Sequence, residues 1–511
     1  MTSQTYAYAS ALPTGSTVAV IGAGAMGRGI AQVAAAAGHQ VLLYDANPKV
    51  AAEALTFIRA DLDKLVSRDK IASKEAESRL SRLSSVDSLQ ALAAAVLVIE
   101  AIVENLHIKT DVLKQVESVI EESAILATNT SSLSVTEIGG TLSRPQQFAG
   151  MHFFNPATIL PLVEVVKGAA TDDAVVRCLV ATASAWGKTP VVCGSTPGFI
   201  VNRVARPFYG EAMRLLAEGV SDVATIDALM RESGGFRMGP FELTDLIGQD
   251  VNFSVTESVY RGFFGDPRYQ PSTLQQELVM AGYLGRKSGR GFYTYENGSA
   301  KVSVTSALAG PKPEVITING SLGAAEKIAV LAENSGIKVL RSEGSGGIQL
   351  GKIKLCLTDG RLATERSIAE GDLALFDLAL DFEQAERIGL AFADGVADDL
   401  RSSAIGFFQA LGKQVSVVDD AVGMVVMRTV AMLINEAVDA EHLSVASAED
   451  IEIAMTRGVN YPIGLLKWCR QIGAGPVLKV IENLSTISPD GRYRASPLLR
   501  RRAVSEAMQE A

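Results

Sequence analysis

A histidine and a glutamate twelve residues apart are the side chains of this chain best suited to proton transfer. The chain has four histidines, and imidazole titrates near neutral pH. His152 lies in the apolar run Phe148–Phe154, and Glu164 lies in the next run, Leu162–Val166. If these runs are neighbouring strands, the carboxylate can hold the imidazole and stabilise its protonated form. The pair therefore predicts a general base; a structural histidine and an edge-strand charge are the alternatives.

A glycine-rich turn near the N-terminus predicts a phosphate-bearing ligand beside this base. Gly22, Gly24 and Gly27 follow the apolar run Thr17–Ile21 and open a helix-forming segment that includes Met26. This is a dinucleotide-binding pattern in its strand–turn–helix setting. Gly22 permits the turn, Gly24 leaves room for a pyrophosphate, and Gly27 lets helix and strand pack closely. The N–H groups at the helix N-terminus then face the phosphates.

An acidic residue after the second strand indicates which dinucleotide is bound. Asp45 follows Gly24 at the distance typical of dinucleotide-binding folds and ends the run Val41–Tyr44. A carboxylate there accepts hydrogen bonds from ribose hydroxyls and repels a 2′-phosphate, so it favours NAD over NADP. With NAD as the hydride acceptor, a histidine base suits the oxidation of a secondary alcohol.

The elements that must position these residues alternate along the first part of the chain. Short apolar runs separated by helical segments predict a mostly parallel sheet with crossover helices. Parallel sheets bind ligands at their carboxyl edge, where the strand with His152 ends. The stretch Pro48–Leu83 has the spacing of a charged amphipathic helix, and Phe199–Gly285 is almost entirely helical in pattern.

The second half of the chain repeats the first at two constant offsets in residue number. The short offset takes Arg203 to Arg428, and the long offset takes Gly22 to Gly320. The fold class predicted is an α/β Rossmann-type NAD domain plus an all-α domain, followed by a degenerate second copy of the same pair. The predicted domain boundaries are 1–194, 195–296, 310–418 and 419–511.

The second sheet has lost the residues that carry chemistry in the first. Gly24 is matched by Leu322 and Gly27 by Ala325, so a side chain occupies the place of the pyrophosphate. The second copy is also shorter after its second strand, since the long offset gives way to the short one there. We expect this loss to include the counterpart of Pro48–Leu83. At the short offset Asp377 stands in the place of His152. We therefore predict one dinucleotide site and one active site per chain.

Composition excludes several classes of function. The net charge of −10 argues against broad binding to nucleic acid or to an anionic membrane. No apolar run is long enough to span a bilayer, no secretory signal is visible, and the four cysteines form no metal-type pair. We expect a cytoplasmic protein without a bound metal.

Several separated motifs closely resemble the L-3-hydroxyacyl-CoA dehydrogenase family, in order and spacing. The motifs are the N-terminal glycine turn, Ala101–Asn105, Asn129–Ser132, His152–Pro156 with Glu164, and Pro197–Arg203. The tandem second half is similar to the long bacterial 3-hydroxybutyryl-CoA dehydrogenases, some of which act on 3-hydroxyadipyl-CoA. The resemblance implies an NAD-dependent (S)-3-hydroxyacyl-CoA dehydrogenase, which interconverts a 3-hydroxyacyl-CoA and the 3-ketoacyl-CoA. Its implied partner is an acyl-CoA thioester.

The resemblance also assigns roles to individual residues. His152 is the base and Glu164 its partner, while Ser131 and Asn202 lie near the substrate oxygen. For Ser131 the alternative is a helix cap, and for Asn202 it is a contact at a helix N-terminus.

Further residues carry implied contacts to cofactor and CoA. Glu104 and Lys109 lie near the nicotinamide and its ribose, unless they are a loop charge and a helix-surface charge. Asn129 contacts the cofactor or holds a turn. Lys64 and Arg68 are candidates for CoA phosphates, with solvated charges as the alternative.

Some alternatives remain open at this point. A sugar-acid or other β-hydroxyacid dehydrogenase, such as a gulonate dehydrogenase, shares much of the pattern. A non-catalytic NAD-binding structural protein is a further alternative, against which the intact set of site residues argues. A terminal carboxylate on the substrate would need a basic partner, for which Arg206, Arg237 and Arg286 are candidates. The repeated helical domain predicts an internal pseudo-dimer, or else a homo-oligomer.

Overall fold

The computed structural model describes residues 10–300 and 302–510. The chain divides into two compact units, which are described separately. Unit 1 ends at Asn202 and also includes Ser444–Val459. Unit 2 comprises Arg203–Leu443 and the chain from Asn460 onward.

Unit 1 is built on one eight-stranded sheet, in the order β3-β2-β1-β4-β5-β6-β7-β8. Its strands are β1 (Thr17–Ile21), β2 (Gln40–Tyr44), β3 (Leu83–Val86), β4 (Leu97–Glu100), β5 (Ile125–Thr128), β6 (Phe148–Phe153), β7 (Leu162–Lys167) and β8 (Thr189–Gly194). Its helices are α1 (Ala25–Ala36), α2 (Pro48–Ser67), α3 (Ser73–Leu80), α4 (Leu106–Glu117), α5 (Val135–Gly139) and α6 (Asp173–Ala185). The predicted alternation of strand and helix is confirmed, and with it the Rossmann-type sheet.

The direction of the last two strands was not predicted. Strands β1 to β6 are parallel, but β7 runs antiparallel to β6, and β8 is parallel to β7. Every residue of β6 is buried, as are all of β7 except Lys167, because helices cover both faces at the centre of the sheet. The reversal pairs His152 directly with Glu164 across the two strands.

Two features of unit 1 differ from the sequence prediction. The stretch Pro48–Leu83 is not one helix: α2 ends at Ser67, and a short turn leads to α3. The last part of unit 1 comes from far along the chain, because helix Ala448–Gly458 packs against β7 and β8. There the N–H of Gly194 donates to the carbonyl of Val445 at 2.8 Å.

Unit 2 contains helices from both halves of the chain and a second sheet. The one-turn helix α7 (Val201–Val204) leads into it from unit 1. Its first helices are α8 (Arg206–Ala217), α9 (Val223–Glu232), α10 (Pro240–Ile247), α11 (Gln249–Gly262) and α12 (Thr273–Met280). They are followed by the short hairpin β9 (Tyr295–Glu296) and β10 (Ser299–Ala300).

The second sheet has the order β12-β11-β13-β14-β15-β16-β17. Its strands are β11 (Val315–Asn319), β12 (Lys338–Ser342), β13 (Ile348–Leu350), β14 (Ile353–Leu357), β15 (Leu373–Phe376), β16 (Arg387–Phe392) and β17 (Gln414–Val417). Its helices are α13 (Lys327–Asn334), α14 (Ala363–Glu370) and α15 (Asp398–Ala410). The remaining helices of the chain are α16 (Val426–His442), α17 (Ala448–Gly458, in unit 1), α18 (Leu465–Ile472), α19 (Ala474–Ile487) and α20 (Pro497–Glu510).

The second sheet repeats the first at the predicted offsets. Strands β11 and β12 begin and end at the long offset from β1 and β2, while β16 and α15 lie at the short offset from β7 and α6. The short antiparallel strand β13 stands where the first sheet has the parallel strand β4. The predicted loss after the second strand is confirmed, because no helix lies between β12 and β14. It removes the counterparts of α2 and α3 and also those of β3 and α4.

Candidate active site

The centre of the site in unit 1 is a hydrogen bond between a histidine and a glutamate. The Nδ1 atom of His152 lies 2.7 Å from Oε2 of Glu164. Glu164 has no exposed surface and His152 is 6% exposed, so water does not compete for this hydrogen bond. Because Nδ1 is occupied by the carboxylate, the other ring nitrogen, Nε2, is the one that can take a proton.

Glu164 is fixed from the other side by backbone donors. Its Oε1 atom accepts hydrogen bonds from the N–H groups of Ile200 at 3.0 Å and Val201 at 2.9 Å. These donors lie at the start of α7, where N–H groups have no partner within the helix. The preceding residue, Phe199, has φ of +50° and places its ring 5.9 Å from that of His152. The carboxylate therefore cannot rotate away from the imidazole without leaving two buried donors unsatisfied.

Three predicted polar residues lie at the carboxyl edge of the same sheet. The side-chain oxygen of Asn129 accepts from the N–H of Phe153, next to His152, at 2.8 Å. The amide of Asn202 donates to the carbonyl of Ser131 at 3.3 Å. Ser131 does not cap the following helix, because that cap is Ser134, whose hydroxyl accepts from the N–H of Glu137.

A buried lysine joins two glutamates beside this edge. The ammonium of Lys109 lies 2.7 Å from Glu100 and 3.2 Å from Glu104. The alternative of a helix-surface charge is therefore wrong for Lys109, which is 1% exposed. Burial opposes ionisation of Glu104, but the Lys109 charge and hydrogen bonds from Thr130 and nearby groups lower its pKa below the ordinary value.

Glu104 also organises the loop that carries Ser131. Its Oε1 atom accepts from the hydroxyl of Thr130 at 2.6 Å and from the N–H groups of Ser131 and Ser132 at 3.0 and 3.1 Å. Glu104 is thus a loop charge, as the alternative had it, but one that is bonded to Lys109 and to the loop of Ser131. The carbonyl of Ser131 in this loop accepts from the amide of Asn202. The Glu104 carboxylate therefore fixes the backbone that links the two predicted site residues Ser131 and Asn202.

Sequence reasoning missed Glu100, which has no exposed surface. Its two oxygens accept from Lys109, the N–H of Ile102 and the hydroxyl of Thr128. The signal was available: a carboxylate that ends a wholly apolar strand needs a partner, and a lysine follows nine residues later.

The glycine turn has the geometry that a dinucleotide needs. Gly22 has φ of +98°, and a Cβ atom on Gly27 would lie 1.7 Å from the carbonyl oxygen of Gly22. A Cβ atom on Gly24 would meet nothing within 4 Å, so this face of the turn is open to a ligand. Helix α1 begins at the next residue without a side-chain cap, and Met26 lies in its first turn. These observations fit a pyrophosphate held by the helix N-terminus.

Asp45 is bound to this turn. One carboxylate oxygen accepts from the N–H of Ala23 at 2.9 Å, and the other accepts from the N–H of Asn47 at 3.0 Å. Each oxygen has a further lone pair, so the side chain can still accept ribose hydroxyls. Its position at the end of β2 is the one that the pattern predicted.

Lys64 and Arg68 lie on α2 and just after it, at a cavity of about 600 Å³ within unit 1. The cavity is also lined by Pro156 and Ile159, from the loop that follows His152. Lys64 is 68% exposed and pairs with Asp61, so the structure is consistent with both the ligand and the solvated alternatives. The three arginines considered for a terminal carboxylate, Arg206, Arg237 and Arg286, belong to unit 2.

Neither a membrane-spanning helix nor a metal-binding cluster is present among the described residues. Among residues 10–300 and 302–510, no helix combines the length and the apolar character needed to cross a membrane. Within the same ranges no three metal-ligating side chains come together.

A glycine turn for a dinucleotide and a histidine–carboxylate pair at the edge of the same sheet define an NAD-dependent dehydrogenase. Comparison with known families agrees. Residues 17–196 match the 3-hydroxyacyl-CoA dehydrogenase NAD binding domain, and residues 198–295 and 423–511 match its C-terminal domain. Residues 355–421 match the 3-hydroxybutyryl-CoA dehydrogenase reduced Rossmann-fold domain. The chain belongs to the 3-hydroxyacyl-CoA dehydrogenase family and is an NAD-dependent oxidoreductase.

Individual proteins and a solved structure are also similar to this chain. The chain is 44% identical to a 3-hydroxyadipyl-CoA dehydrogenase of Escherichia coli K12, over 97% of this chain and 98% of that protein. It is 42% identical to a probable 3-hydroxybutyryl-CoA dehydrogenase of Deinococcus radiodurans, over 54% of this chain and 99% of that protein. A crystal structure of 3-hydroxybutyryl-CoA dehydrogenase from Escherichia coli K12 matches with a TM-score of 0.89 and 42% identity, over 98% of this chain and all of that one.

Proposed function

We propose that this chain oxidises the 3-hydroxyl group of an (S)-3-hydroxyacyl-CoA, with His152 as the general base. The observation that carries the proposal is the buried contact of 2.7 Å between His152 and Glu164 at the carboxyl edge of the NAD-binding sheet. When bound, NAD supplies the hydride acceptor. Side chains and backbone groups of this chain transfer the proton and hold the reacting oxygen.

In the proposed reaction Nε2 of His152 takes the proton of the substrate hydroxyl. The imidazolium that forms is stabilised by Glu164, whose charge is held in place by Ile200 and Val201. In the reverse direction the same imidazolium returns the proton to the oxygen of the ketone. A fixed, desolvated carboxylate suits this role because it needs no reorganisation when the charge develops.

Ser131 and Asn202 are proposed to hold the reacting oxygen. Their side chains belong to segments that are bonded to each other, and Glu104 fixes the backbone on both sides of Ser131. A hydroxyl and an amide in fixed positions can donate to an oxygen as negative charge develops on it. Asn129, Glu104 and Lys109 are proposed to contact the nicotinamide end of NAD, and Gly22, Gly24, Met26, Gly27 and Asp45 the remainder.

For the substrate we propose a CoA thioester of a short 3-hydroxy acid, such as 3-hydroxybutyryl- or 3-hydroxyadipyl-CoA. The full-length likeness to a 3-hydroxyadipyl-CoA dehydrogenase supports this class. Lys64 and Arg68 are proposed to meet CoA phosphates, because they line the cavity beside the loop after His152. We propose a cytoplasmic location for the reaction.

The test compares thioester and free acids as substrates. NADH oxidation is followed with acetoacetyl-CoA and with free acetoacetate. In the reverse direction the formation of NADH is followed with gulonate and NAD. Turnover of the thioester alone is the result expected. Turnover of the free acids alone would instead favour a sugar-acid or β-hydroxyacid dehydrogenase, and no turnover despite NAD binding would favour a non-catalytic protein.

We further propose that the two halves form an internal pseudo-dimer. In unit 1 the N–H of Gly194 donates to Val445, and in unit 2 the N–H of Asp419 donates to Val220. Asp419 is the counterpart of Gly194 at the short offset, and Val445 is the counterpart of Val220. Each hydrogen bond therefore joins the two halves of the chain, with the roles of the halves exchanged. Within unit 2, Arg203 pairs with Glu436, and its counterpart Arg428 pairs with Glu211. Such exchanged contacts are the signature of a two-fold interface.

The pseudo-dimer also accounts for the retention of a second sheet without a dinucleotide turn. Helix α9 packs on β16 in the way that α17 packs on β7 and β8. If a shortened chain ending at Tyr295 were fully active as a monomer, this proposal would be wrong. The proposal retains the four predicted domains, which are residues 1–194, 195–296, 310–418 and 419–511.

A further inference from the structure

A lysine between two carboxylates leaves an unbalanced negative charge at the carboxyl edge of the first sheet. The ammonium of Lys109 lies 2.7 Å from Glu100 and 3.2 Å from Glu104. Within the described residues neither carboxylate forms an ion pair with another cation. We call these three residues the charged cluster. Because one ammonium balances only one of the two carboxylates, the charged cluster keeps one negative charge in excess.

The hydrogen bonds of the charged cluster favour the ionised form of both carboxylates. The Oε1 atom of Glu100 accepts from the ammonium of Lys109 and from the N–H of Ile102, and its Oε2 atom accepts from the hydroxyl of Thr128. The loop after β5 in turn supplies donors to Glu104, whose pKa is lowered from the ordinary value. A carboxylate surrounded by donors keeps its charge even where water is excluded.

The strand order places the charged cluster at the nicotinamide end of the cofactor site. Along the carboxyl edge, the order β2-β1-β4-β5-β6 brings Asp45, the glycine turn, Glu100, the loop after β5 and His152 to successive positions. Asp45 and the turn fit the adenosine and pyrophosphate of NAD. The hydride acceptor has to lie beside the carbon whose hydroxyl gives its proton to His152. The nicotinamide end therefore extends from the turn over the ends of β4 and β5, beside Glu104, whose side chain is 36% exposed.

The second copy has lost the charged cluster together with the dinucleotide turn. The antiparallel strand β13 stands where the first sheet has β4, and no helix between β12 and β14 corresponds to α4. The second sheet nevertheless forms around buried strands such as β15 and β16. A buried charge without a full counter-charge is costly, so its presence only beside the cofactor turn indicates a role toward the cofactor.

We propose that the charged cluster shifts the affinity of this site toward NAD⁺ and away from NADH, and that Glu100 supplies the charge in excess. The inference rests on the proposed role of His152, which sets the nicotinamide end of the site. The nicotinamide ring is a cation in NAD⁺ and neutral in NADH, whereas the remainder of the two molecules has the same charge. A fixed negative charge nearby therefore stabilises the oxidised form alone. Glu100 has no exposed surface, so water screens its charge little.

The test is calorimetric titration of the full-length protein with NAD⁺ and separately with NADH, without acyl-CoA and at constant ionic strength. Glu100→Gln removes the charge with little change of shape. Its oxygen can accept from Lys109 and Ile102 while its amide donates to the hydroxyl of Thr128.

A second variant and a matched control complete the set. Glu104→Gln also neutralises the charged cluster, and it decides the test if circular dichroism shows that Glu100→Gln does not fold. The control is Glu117→Gln, because Glu117 is a buried acid at the opposite end of α4 and accepts from two backbone N–H groups.

The quantity compared is the dissociation constant for NADH divided by that for NAD⁺. We expect this ratio to fall by about fivefold or more in both variants of the charged cluster and to stay within about twofold of wild type in the control. A structural role alone would weaken both cofactors equally, so an unchanged or increased ratio in the variants would overturn the proposal.

The proposed function and this inference fail separately, because the titrations contain no thioester. A fall of the ratio in a protein that does not turn over acetoacetyl-CoA would refute the proposed function and support the effect of the charge. Normal turnover with an unchanged ratio would refute the effect of the charge alone.

Discussion

Replacing Glu164 by glutamine separates the charge of this residue from its shape. In the wild type Oε1 accepts two backbone N–H groups, and Oε2 lies 2.7 Å from Nδ1 of His152. A glutamine can accept both N–H groups only if its carbonyl oxygen takes the position of Oε1. Its amide then faces Nδ1, which must act as an acceptor, so the proton of the neutral ring moves to Nε2. That tautomer cannot take the proton of the substrate.

Two contributions set the size of the effect. The lost stabilisation of the imidazolium by a charged hydrogen-bond partner is about 1.5–3 kcal/mol. If the glutamine amide turns so that its oxygen faces Nδ1, the correct tautomer is restored, but the amide NH₂ then faces the two backbone N–H groups. These donor–donor contacts add about 1–2 kcal/mol to the cost. Together they predict a fall in kcat of roughly 10²- to 10⁴-fold, since each 1.36 kcal/mol is about tenfold.

The assay is steady-state reduction of acetoacetyl-CoA, with NAD binding measured separately by fluorescence titration. Glu117→Gln is the matched control, because Glu117 is also buried and accepts two backbone N–H groups, from Ser143 and Arg144. We expect the control to keep its kcat and both variants to bind NAD normally. A Glu164→Gln enzyme with kcat within about threefold of wild type would refute the role of the carboxylate.

Three further predictions concern stability and cofactor binding. Gly24→Ala should keep a free energy of unfolding in urea within about 1 kcal/mol of wild type but bind NAD at least about tenfold more weakly. Gly27→Ala, whose Cβ would overlap a backbone oxygen, should lower the free energy of unfolding by about 3 kcal/mol or more. Equal stability of the two variants would contradict the packing described. Because the pKa of Glu104 is lowered from 4.5 in the folded state, its carboxylate stabilises the fold above that pH, and the difference in unfolding free energy between wild type and Glu104→Gln should shrink as the pH falls below 4.5; a constant difference down to acid pH would count against it. Arg428→Met leaves the buried Glu211 without this partner and should destabilise the protein by about 3–5 kcal/mol in urea unfolding, and a loss below about 1 kcal/mol would mean that the pair is not a main contact between the halves.

Local sequence patterns predicted those parts of the molecule that local rules determine. The glycine turn, Asp45 and strands β1 and β2 follow from motif spacing and apolar runs, and the tandem repeat indicated where β11 and β12 lie to within two residues. In the structure Asp377 and Gly389, the counterparts of His152 and Glu164 at the short offset, also lie opposite each other, since the N–H of Asp377 donates to the carbonyl of Gly389.

Non-local contacts were beyond these patterns. Nothing in an apolar run states its direction, so the reversal of β7 that pairs His152 with Glu164 was not foreseen. The addition of α17 to unit 1 depends on contacts between residues from opposite halves of the chain. Asp377 shows a further limit: it occupies the place of His152, yet its carboxylate accepts from the N–H groups of Val425 and Val426, the contacts that Glu164 makes in the first copy.

The most direct test of the account is kcat for acetoacetyl-CoA reduction by His152→Ala, measured beside the dissociation constant for NAD. The account predicts a fall in kcat of roughly 10²- to 10⁴-fold, the usual contribution of a general base, with NAD affinity within about twofold of wild type. A variant that keeps more than about a tenth of the wild-type kcat would contradict the central claim that His152 moves the proton.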